Sequence, residues 1–291
     1  MTGRHAKHQC RHPGLEPGAC HRARAIGSVV GQDLPADDWS VEVLVVDDGS
    51  TDDLAGVLRR FGPQVRCIRH ERNAGAATAR NTGIMAAKCD YLAFLDSDDV
   101  WLPNKLAKQI AFMRSVGHAV SCTACRLARP GRAPIAWPRY KDDILTVADA
   151  VWGCYLSPGT TMVCEPRIFA EVGLFDTNLQ RHEDWDWLLR LTARYDVAYL
   201  PEPLASREPS AFGNHHQTLE AIERMRRKHL LRLPQHLRRR FEAGLALEEA
   251  AARYRQRNWG GAASGILKSL WLVPIGNAAA GAILAGRLAR R

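Results

Sequence analysis

Two short apolar runs, each stopping in a group of aspartates, constrain this chain more than anything else in it. Val41-Glu42-Val43-Leu44-Val45-Val46 ends in Asp47-Asp48-Gly49-Ser50, and Tyr91-Leu92-Ala93-Phe94-Leu95 ends in Asp96-Ser97-Asp98-Asp99. Runs this short, rich in β-branched and aromatic residues and closed by turn formers, predict buried strands. Val65-Arg66-Cys67-Ile68 reads as another. Helical stretches alternate with them. Ser50 and Thr51 offer N-caps for a helix to about Phe61, residues 74–87 are small and helical, and Asn104–Val116 sets Leu106, Ile110 and Met113 on one face. This alternation predicts an α/β layer fold with a mostly parallel sheet flanked by helices. Ligands of such sheets sit beyond the carboxyl ends of the strands, where both acidic groups fall.

Crowded carboxylates repel unless a cation or a set of donors compensates. Asp96, Asp98 and Asp99 therefore point to a hard divalent ion, Mg or Mn, with coordination positions left open for phosphate oxygens. The bland alternative is that aspartates here are turn residues and helix caps, a role they fill well. One acidic strand end would favour that alternative; two after neighbouring strands favour a site.

Charge narrows the partners. The 291 residues carry a net +9, but residues 1–221 hold 25 basic and 27 acidic side chains, whereas residues 222–291 hold 15 and 4. The body is thus slightly acidic and has no basic face interleaved with aromatics, so nucleic acid is not expected as a partner. A hydrophobic content of 46% excludes wholesale disorder. The eight cysteines form no disulfide framework, and Cys122-x-x-Cys125 has no second pair with which to build a zinc site. The N-terminal residues contain no apolar run of signal-peptide length, so the expected location is cytoplasmic with reduced thiols.

Four blocks in this order, VEVLVVDDGSTDD, RNAGAATARNTG, YLAFLDSDDVWLPNKL and VGLFDTNLQRHEDWDWLLRL, resemble the inverting family 2 glycosyltransferases of GT-A fold, over roughly residues 21–205. The resemblance implies hexosyl transfer from a nucleotide-diphosphate sugar to a glycan or lipid-linked acceptor in cell-envelope polysaccharide synthesis. By matched position, Asp48 reads the nucleotide base with Asp47 beside it. Asp98 and Asp99 are the DxD-type acids holding ribose and metal, supported by Asp96. Asp184 is the base that deprotonates the acceptor hydroxyl, with Glu183 orienting beside it.

That assignment is chemically reasonable, because a sugar hydroxyl is a poor nucleophile until a placed carboxylate takes its proton. The bland alternative for Glu183 and Asp184 is a favourable charge at a helix N-terminus. Arg80, Arg72 and Asn73 lie between the acidic groups and within reach of a donor, though an arginine on a helix is as often an ion-pair residue. His182 is a candidate acceptor contact. Trp101, Trp185 and Trp187 are candidates for stacking on sugar rings, with burial in the core as the common alternative.

Three segments are expected: an irregular one over 1–20, a GT-A-like domain over 21–210, with its nucleotide part to about 117 and its acceptor part over 118–210, and a basic helical extension over 211–291. The departure from the family is at the start, where the usual opening strand is missing or altered. A catalytically impaired family member is therefore the alternative function, and a nucleotidyltransferase a more distant one. In the extension, arginine-rich helices broken near Pro234 are expected to touch an anionic membrane surface, making the protein peripheral on the inner face. The uncharged stretch from Ser269 to Gly286 is marginal in length for a span and is interrupted by Pro274.

Overall fold

The structure, a computed structural model, describes residues 17–35, 39–129, 131–138, 140, 142–208 and 215–273. The first half runs α1 (Pro17–Val30), β1 (Val43–Asp47), α2 (Leu54–Leu58), β2 (Val65–Arg69), α3 (Ala76–Ala86), β3 (Leu92–Ala93), β4 (Val100–Trp101) and α4 (Lys105–Val116). Helix α1 begins inside the segment expected to be irregular, with Pro17 where a missing N–H costs nothing. Helix α2 starts later than the expected caps at Ser50 and Thr51. The backbone N–H and hydroxyl of Ser50 are drawn to Asp47, and Asp53 caps the helix by accepting from Gly56 N–H at 2.8 Å. Helix α4 stops at Gly117, which takes a left-handed φ of 69° and returns its N–H to the Met113 carbonyl.

The second half runs β5 (Val120–Arg129), β6 (Arg132–Trp137), β7 (Ile144–Leu145), α5 (Val147–Ala150), α6 (Pro158–Thr161), β8 (Val163–Cys164), α7 (Arg167–Val172), α8 (Glu183–Thr192) and β9 (Val197–Arg207). Three helices follow: α9 (His215–His229), α10 (Gln235–Arg255) and α11 (Trp259–Leu272).

The sheet is mixed rather than mostly parallel. Strands β1 and β2 pair in parallel, Val43 opposite Val65. A seven-stranded sheet orders β3-β8-β5-β9-β4, with β6 added on β5 and β7 on β9. Its longest ladder, β5 with β9, is parallel, whereas its other ladders are antiparallel. Unbroken burial such as that of Val120–Cys125 records cover on both faces but says nothing of strand direction. Among the described residues no ladder joins β1–β2 to the seven-stranded sheet, and no strand precedes β1. The side chains of Leu44, Val45 and Val46 are accordingly half-buried, less covered than a central strand would be.

The core gathers under α8 and runs on into the C-terminal helices. Trp185 and Trp187 are fully buried; Phe169 stacks on Trp187 with ring centroids 4.8 Å apart, and Phe241 of α10 meets Trp185 edge-on at 5.6 Å. Helix α10 approaches so closely that a Cβ on Gly244 would lie 2.8 Å from the Val151 carbonyl and 2.9 Å from that of Trp152. The boundary expected at residue 210 falls in 209–214, outside the described residues. Beyond it, Met225, Leu237, Phe241 and Leu245 share one apolar cluster with Val120, Leu156 and Trp185. No helix among the described residues is long and apolar enough to cross a membrane. The stretch from Ser269 to Gly286 is helical to Leu272, and from residue 274 onward it lies outside the described residues, as does all of 1–16.

Candidate active site

The turn after β1 is closed by its own aspartates. Asp47 is buried and accepts from the backbone N–H of Ser50 at 2.9 Å and the guanidinium of Arg69 at 2.9 Å. Asp48 accepts from His70 Nδ1 at 2.7 Å, from Ala74 N–H at 2.9 Å and from Gly75 N–H at 2.7 Å. These last two donors lead into α3, so Asp48 ties the turn to the start of that helix. Burial alone would raise both carboxyls, but these donors outweigh it and hold them below the ordinary range. Gly49, at φ 73°, lies against the Arg72–Asn73 backbone, where a Cβ would come within 2.7 Å of Asn73 N. The turn and the loop carrying Arg72 and Asn73 are thereby brought together, with both of those side chains exposed.

The turn after β3 is closed less completely. Asp99 is buried and faces Arg207 at 3.3 Å, the hydroxyl of Thr160 and the N–H of Glu208 at 3.2 Å. Burial pushes it up to about 6 in spite of the Arg207 guanidinium. Asp96 pairs with Arg80 at 2.9 Å. Asp98, between them, is half-buried, and among the described residues it accepts no hydrogen bond and forms no ion pair.

Arg80 joins this turn to α8. Its second nitrogen reaches Glu183 at 2.8 Å, so a single guanidinium bridges the end of β3 and the first residue of the helix. Its charge is held firmly by Asp96 and Glu183 against the burial that would weaken it. The bridge needs a residue without a side chain next to it: a Cβ on Gly159 would lie 2.7 Å from both the Arg80 nitrogen and the Asp96 oxygen. Burial first, and then the neighbouring Asp184 charge, raise the Glu183 carboxyl, with Arg80 opposing. Asp184 accepts from the N–H of Trp185 at 2.8 Å, and its charge adds to the burial that pushes the Cys154 thiol up. His182, at φ 62°, turns the chain into the helix and rests edge-on against Trp185 at 5.7 Å.

In the same first turn of α8, Asp186 is wholly buried. It accepts from Lys228 and from His229 of α9, each at 2.7 Å, and from Arg190 at 2.9 Å. Against burial, which would raise it, these donors bring its carboxyl down to about 2. Arg190 also donates to the Val172 and Leu174 carbonyls at 2.8 Å each, and Lys228 reaches Asp176 at 2.6 Å. The loop leading into α8 is thus fastened to the helix and to α9 together.

Of the residues expected at a site, Asp96, Arg80 and Glu183 are joined by this bridge, with Asp98 and Asp99 in the turn of Asp96 and Asp184 next to Glu183; Asp47 and Asp48 belong to a separate network at the end of β1. Trp101, Trp185 and Trp187 belong to the interior, their indole N–H groups donating to the carbonyls of Thr160, Ala150 and Gly173. Sequence reasoning missed His70, Arg207 and Gly159. Arg207 lies 108 positions from its partner Asp99, with no local signal. The small-residue run Ser157-Pro158-Gly159-Thr160-Thr161 was a visible signal of close approach.

No group of three or more ligating side chains among the described residues forms a ready-made metal site. The open carboxylate of Asp98 still suits a hard cation that takes one or two protein oxygens and completes its shell with water and phosphate.

A glycosyl transferase family 2 model matches residues 23–164. The Bacillus subtilis protein named putative teichuronic acid biosynthesis glycosyltransferase TuaG is 34% identical over 141 residues, 47% of this chain and 54% of that one. The Escherichia coli UDP-Glc:alpha-D-GlcNAc-diphosphoundecaprenol beta-1,3-glucosyltransferase WfaP is 40% identical over 77 residues, 26% of this chain and 31% of that one. The alignments therefore span about half of these relatives or less. Among solved structures, Staphylococcus aureus TarS superposes with a TM-score of 0.63 at 17% identity, over 88% of this chain and 47% of that one. The Pyrobaculum calidifontis mannosyltransferase PcManGT, solved with GDP-Man and Mn2+, superposes at 0.57 and 18% identity, over 93% and 76%.

Proposed function

Since this chain belongs to glycosyl transferase family 2 and has the GT-A fold, we propose that it moves a hexosyl group from a nucleotide-diphosphate sugar to a glycan or lipid-linked acceptor, with inversion, in cell-envelope polysaccharide synthesis. The observation that carries the reading is the Asp96–Arg80–Glu183 bridge, by which one guanidinium ties the turn that carries Asp98 to the residue next to Asp184.

Asp184 is the base in this reading. Glu183 has its oxygen engaged by Arg80, whereas Asp184 is free of any ion pair among the described residues and can take the acceptor's proton. The acceptor oxygen then bonds to the anomeric carbon as the bond to the nucleoside diphosphate breaks on the opposite face. Asp98, with Asp99 behind it, would hold a divalent cation, Mn or Mg, which when bound offsets the charge gathering on the leaving diphosphate. The two turns after β1 and β3, with Asp47, Asp48 and Asp96, would line the donor's nucleoside side. The names of TuaG and WfaP support an envelope polymer and a diphospholipid-borne acceptor. The address that follows is the inner face of the membrane, with the basic C-terminal helices as its contact.

The test is a panel of nucleotide sugars with Mn, following release of nucleoside diphosphate and the anomeric configuration of the product. Asp184→Asn is expected to fold normally and to lose transfer by roughly a thousandfold. Activity within a few-fold of the parent, a retained configuration, or release of pyrophosphate instead would each overturn the reading. A second reading, a family member impaired in transfer, is supported by the separation of β1–β2 from the seven-stranded sheet. Donor binding without turnover in the parent chain would favour it.

A further inference from the structure

Helix α11 has two unlike sides. Ala262, Gly265 and Ser269 are buried against α10, and a Cβ on Gly265 would come within 2.9 Å of the Ala246 carbonyl. Away from that contact, Trp259, Ala263, Leu267 and Trp271 recur every fourth residue, with Trp259 57%, Leu267 65% and Trp271 73% exposed. Residues four apart on a helix shift by only about 40° around its axis, so these four form one stripe that starts beside α10, where Trp259 meets Tyr254 edge-on at 4.9 Å, and turns away from it toward Trp271. Single exposed apolar side chains are ordinary on a surface; a stripe with an indole at each end is not.

What surrounds the stripe is basic. Arg255 and Arg257 are exposed where α10 gives way to α11, and Lys268 is exposed along its flank with Glu242 of α10 at 4.0 Å. A second copy of this chain would set two such surfaces face to face and bury little more than two indoles and a leucine from each. That is well short of the roughly 800 Å² per partner of a stable interface. An indole suits the boundary between lipid headgroups and acyl chains, where its ring is in apolar surroundings and its N–H stays wet.

We propose that this face of α11 lies in the headgroup layer of an anionic membrane, with Trp259, Leu267 and Trp271 entering it and Arg257 and Lys268 meeting lipid phosphates. The proposal rests on the membrane-side address given above and moves the contact to a different place. Helices α9 and α10 were expected to supply it, but their apolar residues Ile222, Met225, Leu237 and Phe241 are buried in the core, leaving α11 as the described helix with an apolar side uncovered.

The test is flotation of the full chain with vesicles of phosphatidylcholine alone and with about one third phosphatidylglycerol added. The parent is expected to float with the anionic vesicles only. Trp259→Ser/Leu267→Ser/Trp271→Ser should weaken that partition roughly tenfold or more with its circular dichroism unchanged. Arg257→Glu/Lys268→Glu, which leaves every apolar side chain in place, should weaken it too and remove its salt dependence. A triple variant that floats like the parent would overturn the assignment to α11 and leave the membrane address standing. A parent that floats with neither vesicle would overturn both, and a parent dimer that the triple variant dissociates, without any flotation, would assign the face to a second copy.

Discussion

The two acidic turns look alike in sequence and behave differently in the fold. After β1, Asp47 and Asp48 have their oxygens taken by Ser50, Arg69, His70 and the N–H groups of Ala74 and Gly75, so these carboxylates act as scaffolding for the turn. After β3, Asp96 and Asp99 are taken by Arg80 and Arg207, but Asp98 between them has no protein donor among the described residues. A carboxylate whose donors come from its own protein contributes stability. One left without them remains available to a ligand.

The sharpest way to break this contrast is Asp98→Ala. It is expected to lower sugar transfer by about a hundredfold or more while leaving the thermal midpoint where it was, because a lost cation contact is worth several kcal/mol in the transition state. Loss of folding in that variant would mean that the second turn is scaffolding as well. Asp186→Asn should do the reverse and cost about 3 kcal/mol of stability in a denaturant titration, since it uncouples Arg190, Lys228 and His229 from a buried charge. With its carboxyl held down at about 2, Asp186 contributes stability that is present above the ordinary carboxylate range and is lost as pH falls from about 4 to about 2. Acid unfolding followed by circular dichroism should accordingly be flatter over that window in Asp186→Asn than in the parent.

Asp48→Ala should come next, at about 2 kcal/mol, because it removes the acceptor for three donors at the entry to α3. Its effect should register in the melting curve before it registers in the rate. The smallest change is Gly159→Ala, where one methyl would press on the Arg80–Asp96 pair. About 1 kcal/mol and a few-fold loss of transfer are expected, and an unchanged rate would show that the bridge can shift without cost to the site.

Helix α8 repeats the lesson within a few residues. Its first turn is Glu183-Asp184-Trp185-Asp186, and the run of acids reads simply as charge at a helix N-terminus. In the fold, Glu183 answers Arg80, Asp186 answers α9, and Asp184 is left with the N–H of its own helix. The helices themselves were legible: the small residues of 74–87, the apolar face of Leu106, Ile110 and Met113, and the break at Pro234 each reappear within a few residues of where local chemistry puts them. Strand direction was not, because a strand buried on both faces has the same composition whichever way it runs.

The sequence by itself determined the kind of fold, the strand ends where acids gather and the helix that opens with Glu183 and Asp184, since these depend on residues within one turn or one strand of each other. It also located the basic charge in the last 70 residues. Only the tertiary structure decided which carboxylate stays open, because Arg80 lies 103 positions from Glu183 and Arg207 lies 108 from Asp99. It likewise decided that α9 and α10 belong to the core while α11 turns its tryptophans outward. An amphipathic helix has the same pattern whether its apolar side meets protein or is left uncovered, and what packs against it comes from elsewhere in the chain.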